Sequence, residues 1–264
     1  SQADLKKAVS EADAVMVVSE ALSAAVIDSM IRCRVICRLG AGTDKLDVDR
    51  ATRHGIVVAN VPDFCWEEQA DHAMAMLLAV ERQLKRMDRE LAAGHWTGSR
   101  EVSGRNHRLP GRTLGLVGFG RSARAMARRA RGFDMRLLAT RRRELDDPEL
   151  AELGVELVSL DELLAQSDYV SLHLPLTEAT YHLIDAEALQ RMKPGAILIN
   201  TSRGNVVESL DVDKGAVSRQ VKHLVELGPV AEYAVLDLEL VHLPLDGLVR
   251  HLPPRELGGV KFVV

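Results

Sequence analysis

The chain has 264 residues, 47% of them hydrophobic, with 34 Lys and Arg against 38 Asp and Glu for a formal net charge of −4. That length and apolar content suit two ordinary domains with real cores, or one large domain with an appendage, and the slightly negative balance excludes a general polyanion-binding protein, so no direct nucleic-acid partner is expected. No apolar run approaches the roughly 20 residues that a bilayer span needs, and residues 1–15 lack the basic, apolar and small-residue succession of a signal peptide, so no membrane association and a cytoplasmic address are expected.

In chain order, "ADAVMVVS" reads as a buried strand, "ALSAAVIDSMI" as a helix, "RVICRLGAG" as a strand running into a glycine loop and "IVVANVP" as a further strand. Cys33 and Cys37 fall on one face of the predicted strand, where buried thiols are common; with Cys65 they are odd in number and lack zinc or redox spacing, so no metal site is expected. Residues 63–96 keep mostly helical apolar spacing (Ala70, Ala73, Met74, Leu77, Leu78, Val80, Leu84, Met87, Leu91), with Glu67 and Glu68 placed to complement the dipole, which predicts one long helix. Residues 97–112, "TGSREVSGRNHRLPGR", have no apolar period and read as a loop or arm at the main boundary.

The alternation then resumes as strand "TLGLVG", helix "RSARAMARRARGF", strand "MRLLAT", helix "ELDDPELAELG" and strand "VELVS". A helix with a capping-box start at Ser159 and Glu162 follows, then strand "DYVSLHL", helix "DAEALQRM", the stop "KPG" and strand "AILINT". Strands separated by helices need crossover connections, so the fold class is α/β with a mainly parallel, doubly wound sheet of Rossmann type.

Gly118-Phe119-Gly120-Arg121-Ser122-Ala123 joins the first of these strands to its helix as Gly-x-Gly-x-x-Ala. In a dinucleotide site the first glycine permits the tight turn, the second admits a pyrophosphate against the backbone, and the small third residue lets helix pack on strand. The end of the next strand discriminates between cofactors: an acid roughly 20 positions after the glycines accepts from the ribose hydroxyls of NAD. Here the place holds Thr140, Arg141 and Arg142. A guanidinium pairs with the additional phosphate of NADP, so NADP is preferred, with NAD still possible; the competing reading is a solvated basic run balanced by Glu144, Asp146 and Asp147. Arg124, Arg128 and Arg129 on the helix read as solvated, and Arg121, in the turn, as a candidate ligand. Thr201, Ser202 and Arg203 fall at a strand's carboxyl end, where such sheets bind ligands, and an arginine there can clamp a carboxylate and polarise its neighbouring carbonyl. Gly40, Ala41 and Gly42 offer backbone amides to an anion.

"RLGAGTDKLDVDRATRHGIVVANVP", "ADHAMAMLLA", "GRTLGLVGFGRSARAMARRARGFDMRLLA" and "SDYVSLHLPLTEATYHLIDAEALQRMKPGAILINTSRG" together resemble the D-isomer-specific 2-hydroxyacid dehydrogenases, from about residue 10 to residue 207. The resemblance implies a smaller flavodoxin-like substrate domain, here residues 1–78 without its first strand, a nucleotide domain over residues 79–240 that includes the connecting helix and arm, and a terminal segment 241–264. It implies hydride transfer between the nicotinamide and C2 of a short 2-oxo or 2-hydroxy acid, with Arg203 on the substrate, the Ala41–Gly42 backbone on its carboxylate, His173, Pro175, Thr201 and Ser202 along the cofactor, and Asp237 on the nicotinamide side. It also implies a homodimer, with the arm around Trp96 in the contact. After Val207 the pattern departs. The family's glutamate and Pro-His pair have no clear counterparts; Glu239 stands one residue early, and His223, His242 and His251 lack the matching context, so no general acid is assigned. A non-catalytic dinucleotide-dependent binding protein, as among the corepressor relatives, and a small-molecule methyltransferase remain the alternatives.

Overall fold

The computed structural model describes residues 2–104, 106–142, 147–208 and 262–263, which fall into two compact units, one of residues 2–65 with 262–263 and one of residues 66–208.

The first unit is a parallel sheet with helices α1 (Gln2–Val9), α2 (Ala24–Ile27) and α3 (Val48–Arg53). Its strands β1 (Ala14–Val17), β2 (Val35–Arg38) and β3 (Val57–Asn60) lie in the order β3-β2-β1, and the backbone of Phe262–Val263 continues the sheet beyond β1, with Phe262 opposite Ala14. Val9, Val15, Ile27, Ile36, Leu46 and Ile56 form its core. The expectation for the cysteines needs correcting: Cys33 is buried but precedes β2, with its Sγ 3.3 Å from the Val35 carbonyl, and Cys37 alone lies in the strand.

The second unit begins with α4 (Trp66–Glu81), α5 (Leu84–Ala92) and α6 (Trp96–Ser103). It continues as β4 (Thr113–Val117), α7 (Arg121–Arg131), β5 (Arg136–Thr140), α8 (Pro148–Leu153), β6 (Val155–Leu157), α9 (Leu160–Gln166), β7 (Tyr169–Leu172), α10 (Ala186–Arg191) and β8 (Ile197–Asn200). The sheet is parallel throughout with the order β6-β5-β4-β7-β8. The chain therefore winds outward from β4 through β5 to β6 and returns to the other side of β4 at β7, which makes the carboxyl end of β4 and β7 the topological switch point where such sheets receive ligands. β4, β7 and β8 are buried along their whole length, as apolar runs covered by helices on both faces must be.

Three expectations fail here. The predicted single helix is broken: Gln83 has φ +50°, α4 ends before it and α5 starts after it. The segment expected as a loop contains α6, whose Ser99 is buried. The arginines of α7 are also paired rather than solvated. Arg128 Nη2 and Arg129 Nη1 lie 2.9 and 2.8 Å from Glu67, and Arg129 Nε lies 2.6 Å from Asp71, so they fasten α7 to α4 above the packing of Ala70, Ala73 and Leu77 on Ala123 and Met126. Among the described residues no helix is long and apolar enough to cross a membrane.

Candidate functional site

The turn after β4 is built around one obligatory glycine. Gly118 has φ +87°, its N–H donates to the Thr140 carbonyl at 3.0 Å, and a Cβ there would stand 2.6 Å from both the His173 carbonyl oxygen and Leu174 Cδ2. Gly120 differs: its φ of −90° suits any residue, and a Cβ built on it meets nothing within 4 Å. The first glycine is thus required by the fold, and the second keeps an approach to the backbone open at the N-terminus of α7. Ala123, the small third residue, is fully buried.

This turn forms part of the wall of a cleft of about 700 Å3, with Gly118, Gly120, Thr140, Arg141, His173 and Pro175 among its lining residues. Arg142 and Arg124 line it too, and Arg142 is exposed. Arg121 is exposed on the first turn of α7 and is not among the lining residues, and Ser122 contributes indirectly, through His173. His173 is buried at the end of β7, with Nδ1 3.0 Å from Ser122 Oγ and Nε2 2.9 Å from Ser171 Oγ. Burial pushes its pKa down to about 4, so the ring is neutral at pH 7 and one nitrogen donates while the other accepts. The Pro175 carbonyl accepts from Thr180 Oγ1 at 2.7 Å, which ties down a loop whose Pro175, Thr177 and Thr180 also line the cleft.

At the end of β5, Arg141 Nη1 donates to Asp147 Oδ2 at 2.7 Å, and the same carboxylate is held by Arg124 through contacts of 3.0 and 2.5 Å. Hydrogen bonds from Arg124 and then Arg141 hold the Asp147 carboxyl at about 2. The basic run is thus in part balanced by Asp147, one of the three acids noted in the sequence.

The end of β8 carries Thr201 and Ser202, both buried, and Arg203, half-buried. Asn200, which sequence reasoning did not single out, organises this turn: its Oδ1 accepts from Ser202 N at 3.0 Å and Ser202 Oγ at 2.9 Å, and its Nδ2 donates to the Arg203 carbonyl at 2.9 Å. Gln69 on α4 was also missed; its Nε2 donates to the Thr201 carbonyl at 2.7 Å. In the first unit, Ala41 is exposed and Gly42 half-buried in the loop after β2, which is held by Asn60 Nδ2 donating to the Ala41 carbonyl at 2.8 Å. Asp237, Glu239, His223, His242 and His251 lie outside the described residues.

The donor set fits a dinucleotide: a glycine cradle at a helix N-terminus, a neutral histidine and the guanidinium of Arg141 line one cleft. Residues 74–225 match the family described as D-isomer specific 2-hydroxyacid dehydrogenase, NAD binding domain. The glyoxylate reductase of Korarchaeum cryptofilum is 43% identical over 198 residues, 74% of this chain and 58% of that one. The structure of D-lactate dehydrogenase from Aquifex aeolicus complexed with NAD and lactic acid superposes with a TM-score of 0.75 at 28% identity, over 88% of this chain and 72% of that one. That of an acyclic imino acid reductase in complex with NADPH and D-Arg gives 0.69 at 25%, over 79% and 66%. The chain spans about three fifths of the length of the glyoxylate reductases it matches, that of Korarchaeum cryptofilum among them. With the winding order, the Gly118 turn and this match over more than half of its length in agreement, the chain belongs to the D-isomer specific 2-hydroxyacid dehydrogenase family.

Proposed function

We propose that the chain serves a nicotinamide-dependent reductase of short 2-oxo acids, with NADP preferred over NAD. The observation that carries this reading is the cleft that runs from the Gly118–Gly120 turn to Arg141 and Arg142 at the end of β5. In it, the backbone of the turn and the α7 N-terminus take the pyrophosphate, and Thr140, Arg141 and Arg142 take the adenosine end, where a guanidinium favours a phosphate over a free hydroxyl. His173 and Pro175 wall the cofactor on the β7 side, and Thr201 and Ser202 stand at the neighbouring strand end.

When bound, the nicotinamide supplies or accepts a hydride. The chain's own residues bind and polarise the acid: Arg203 pairs with its carboxylate and stabilises the charge that develops on the C2 oxygen. In the first unit, the backbone at Ala41 and Gly42 is the candidate for a substrate carboxylate. Asp237 is assigned to the nicotinamide side. We divide the chain by role as its sequence suggests, with the substrate domain first and the nucleotide domain after it. A homodimer is part of the proposal, supported by the exposed apolar side chains Leu84, Leu91 and Trp96 along α5 and α6. The alternative of a cofactor-binding protein without turnover draws on the departure from the family pattern after Val207.

Fluorescence titration with NADPH and NADH, followed by glyoxylate, hydroxypyruvate and pyruvate in the same cuvette, tests the reading. Binding with oxidation is expected; binding without oxidation favours the non-catalytic alternative. In Arg141→Gln the NADPH affinity should fall about tenfold or more, the loss of one charge-assisted pair, with NADH little changed. An unchanged ratio removes the NADP preference. Arg203→Ala should lower kcat/KM for the 2-oxo acid by on the order of a hundredfold or more while leaving NADPH binding intact; wild-type turnover in that variant would take Arg203 out of the mechanism.

A further inference from the structure

We propose that Asp147 is a positioning residue for NADP selectivity: it holds the Arg141 guanidinium as a fixed fork at the cleft wall, and its own charge is met by Arg124 as well as by Arg141. The inference rests on the reading of the cleft as a dinucleotide site. By charge alone an acid beside the adenosine end would oppose a phosphate, so the role has to be argued from geometry.

Arg141 and Arg124 line the cleft, whereas Asp147 is absent from its lining and stands behind them. The Asp147 side chain is only 9% exposed and that of Arg141 11%, so both are held by the fold rather than by solvent. Arg141 gives Nη1 to Asp147 Oδ2 at 2.7 Å. Arg124 grips the same carboxylate with two nitrogens, at 3.0 and 2.5 Å, and gives Nη1 to Glu149 Oε2 at 2.6 Å as well. Arg124 is fixed in turn by its α7 backbone and by stacking 4.8 Å above the ring of Phe119, a residue of the glycine turn itself. The carboxylate is therefore clamped from the rigid β4–α7 corner, and through it the orientation of Arg141 is set by the same corner that would seat the pyrophosphate.

Two consequences follow. A guanidinium already held on one nitrogen loses less side-chain freedom when an anion binds, which raises affinity for a phosphate at a fixed distance from the glycine turn. The Asp147 charge is met from two sides, by Arg124 and by Arg141, and Glu149 is shared between Arg124 and Arg128, so the acid is compensated where it stands and the exposed Arg142 adds its charge to the cleft lining. The acid thus supports binding of an anion it would repel if left uncompensated.

The test compares two fragments by calorimetric titration, adenosine 2′,5′-bisphosphate and adenosine 5′-monophosphate, which differ only in the 2′-phosphate and need no turnover. In Asp147→Asn, which keeps the shape and loses the charge, the bisphosphate should bind about tenfold more weakly while the monophosphate stays within about twofold. Asp147→Ser, too short to reach Arg141, should show the same selective loss, and it carries the test if the first variant fails to fold. Tighter binding of the bisphosphate would mean that Asp147 acts as a competing charge, and an equal loss for both fragments would mean a merely structural role; either overturns the proposal. Wild-type protein that binds neither fragment overturns the nucleotide reading and this inference with it, whereas wild-type binding of both with unchanged selectivity in the variants overturns the role of Asp147 alone.

Discussion

Gly118→Ala should destabilise the second unit by about 3 kcal/mol or more, while Gly120→Ala leaves its stability within about 0.5 kcal/mol and weakens dinucleotide binding at least tenfold. At Gly118 two costs add. A side chain at φ +87° carries backbone strain of about 1–2 kcal/mol, and the new Cβ would press on the His173 carbonyl oxygen at 2.6 Å, a backbone atom that the β4–β7 pairing holds in place. The neighbouring Leu174 methyl could move aside; the carbonyl cannot without disturbing the His173 N–H bond to Val117 at 2.8 Å. At Gly120 neither cost arises, so the methyl group's effect is confined to the open side of the backbone where the pyrophosphate would lie. Urea denaturation followed by NADPH titration of both variants separates the two roles. A Gly118→Ala protein as stable as wild type would contradict the turn geometry, and a Gly120→Ala protein with undiminished affinity would contradict the placement of the phosphates.

The alternating strands and helices of the second unit were legible because each strand is a short apolar run closed by a polar or glycine stop, and because local chemistry marks the helix starts. Ser159 and Glu162 form the reciprocal cap that their spacing predicts, with Glu162 N donating to Ser159 Oγ at 3.2 Å and Ser159 N donating to Glu162 Oε2 at 3.0 Å. The break at Gln83 was not legible. No Gly or Pro marks it, the apolar spacing runs through it, and a glutamine in the left-handed region is a conformation that tertiary packing selects against local preference. The helix at Trp96–Ser103 was hidden for the opposite reason: its Ser, Gly and Arg content reads as loop.

In the site, the glycine turn and the strand-end position of Arg203 could be read because they depend on residues adjacent in sequence. The partner of Arg141 was among the nearby acids that the sequence offered, whereas the partners of the α7 arginines could not be read. Arg129 meets Glu67 across 62 positions, and no local pattern distinguishes an arginine that will find such a partner from one that stays in water. Asn200 left a weak signal, an amide at a strand end before a turn; Gln69 left none, since its bond to Thr201 spans 132 positions.

His173 should make the second unit lose up to about 3 kcal/mol of stability as pH falls from about 6.5 to about 4. The ring has an ordinary pKa of 6.5, and burial lowers it to about 4 in the folded protein. Between those values the unfolded chain takes up a proton that the folded chain refuses, so stability rises with pH through this window and is flat with respect to this group above it. The carboxylates act elsewhere: Asp147, lowered from 3.8 to about 2, keeps its stabilising charge until the pH drops below about 4, so its loss begins where that of His173 ends. Chemical denaturation of wild type and His173→Asn between pH 4.5 and pH 7.5 isolates the effect. The amide retains a donor and an acceptor for Ser122 and Ser171 but cannot titrate, so whatever the variant's stability at pH 7.5, its slope in this window should be flatter than that of wild type. Equal slopes would show that the buried ring is not the group refusing the proton, and would return the charge of His173 to the account of how the cleft receives an anion.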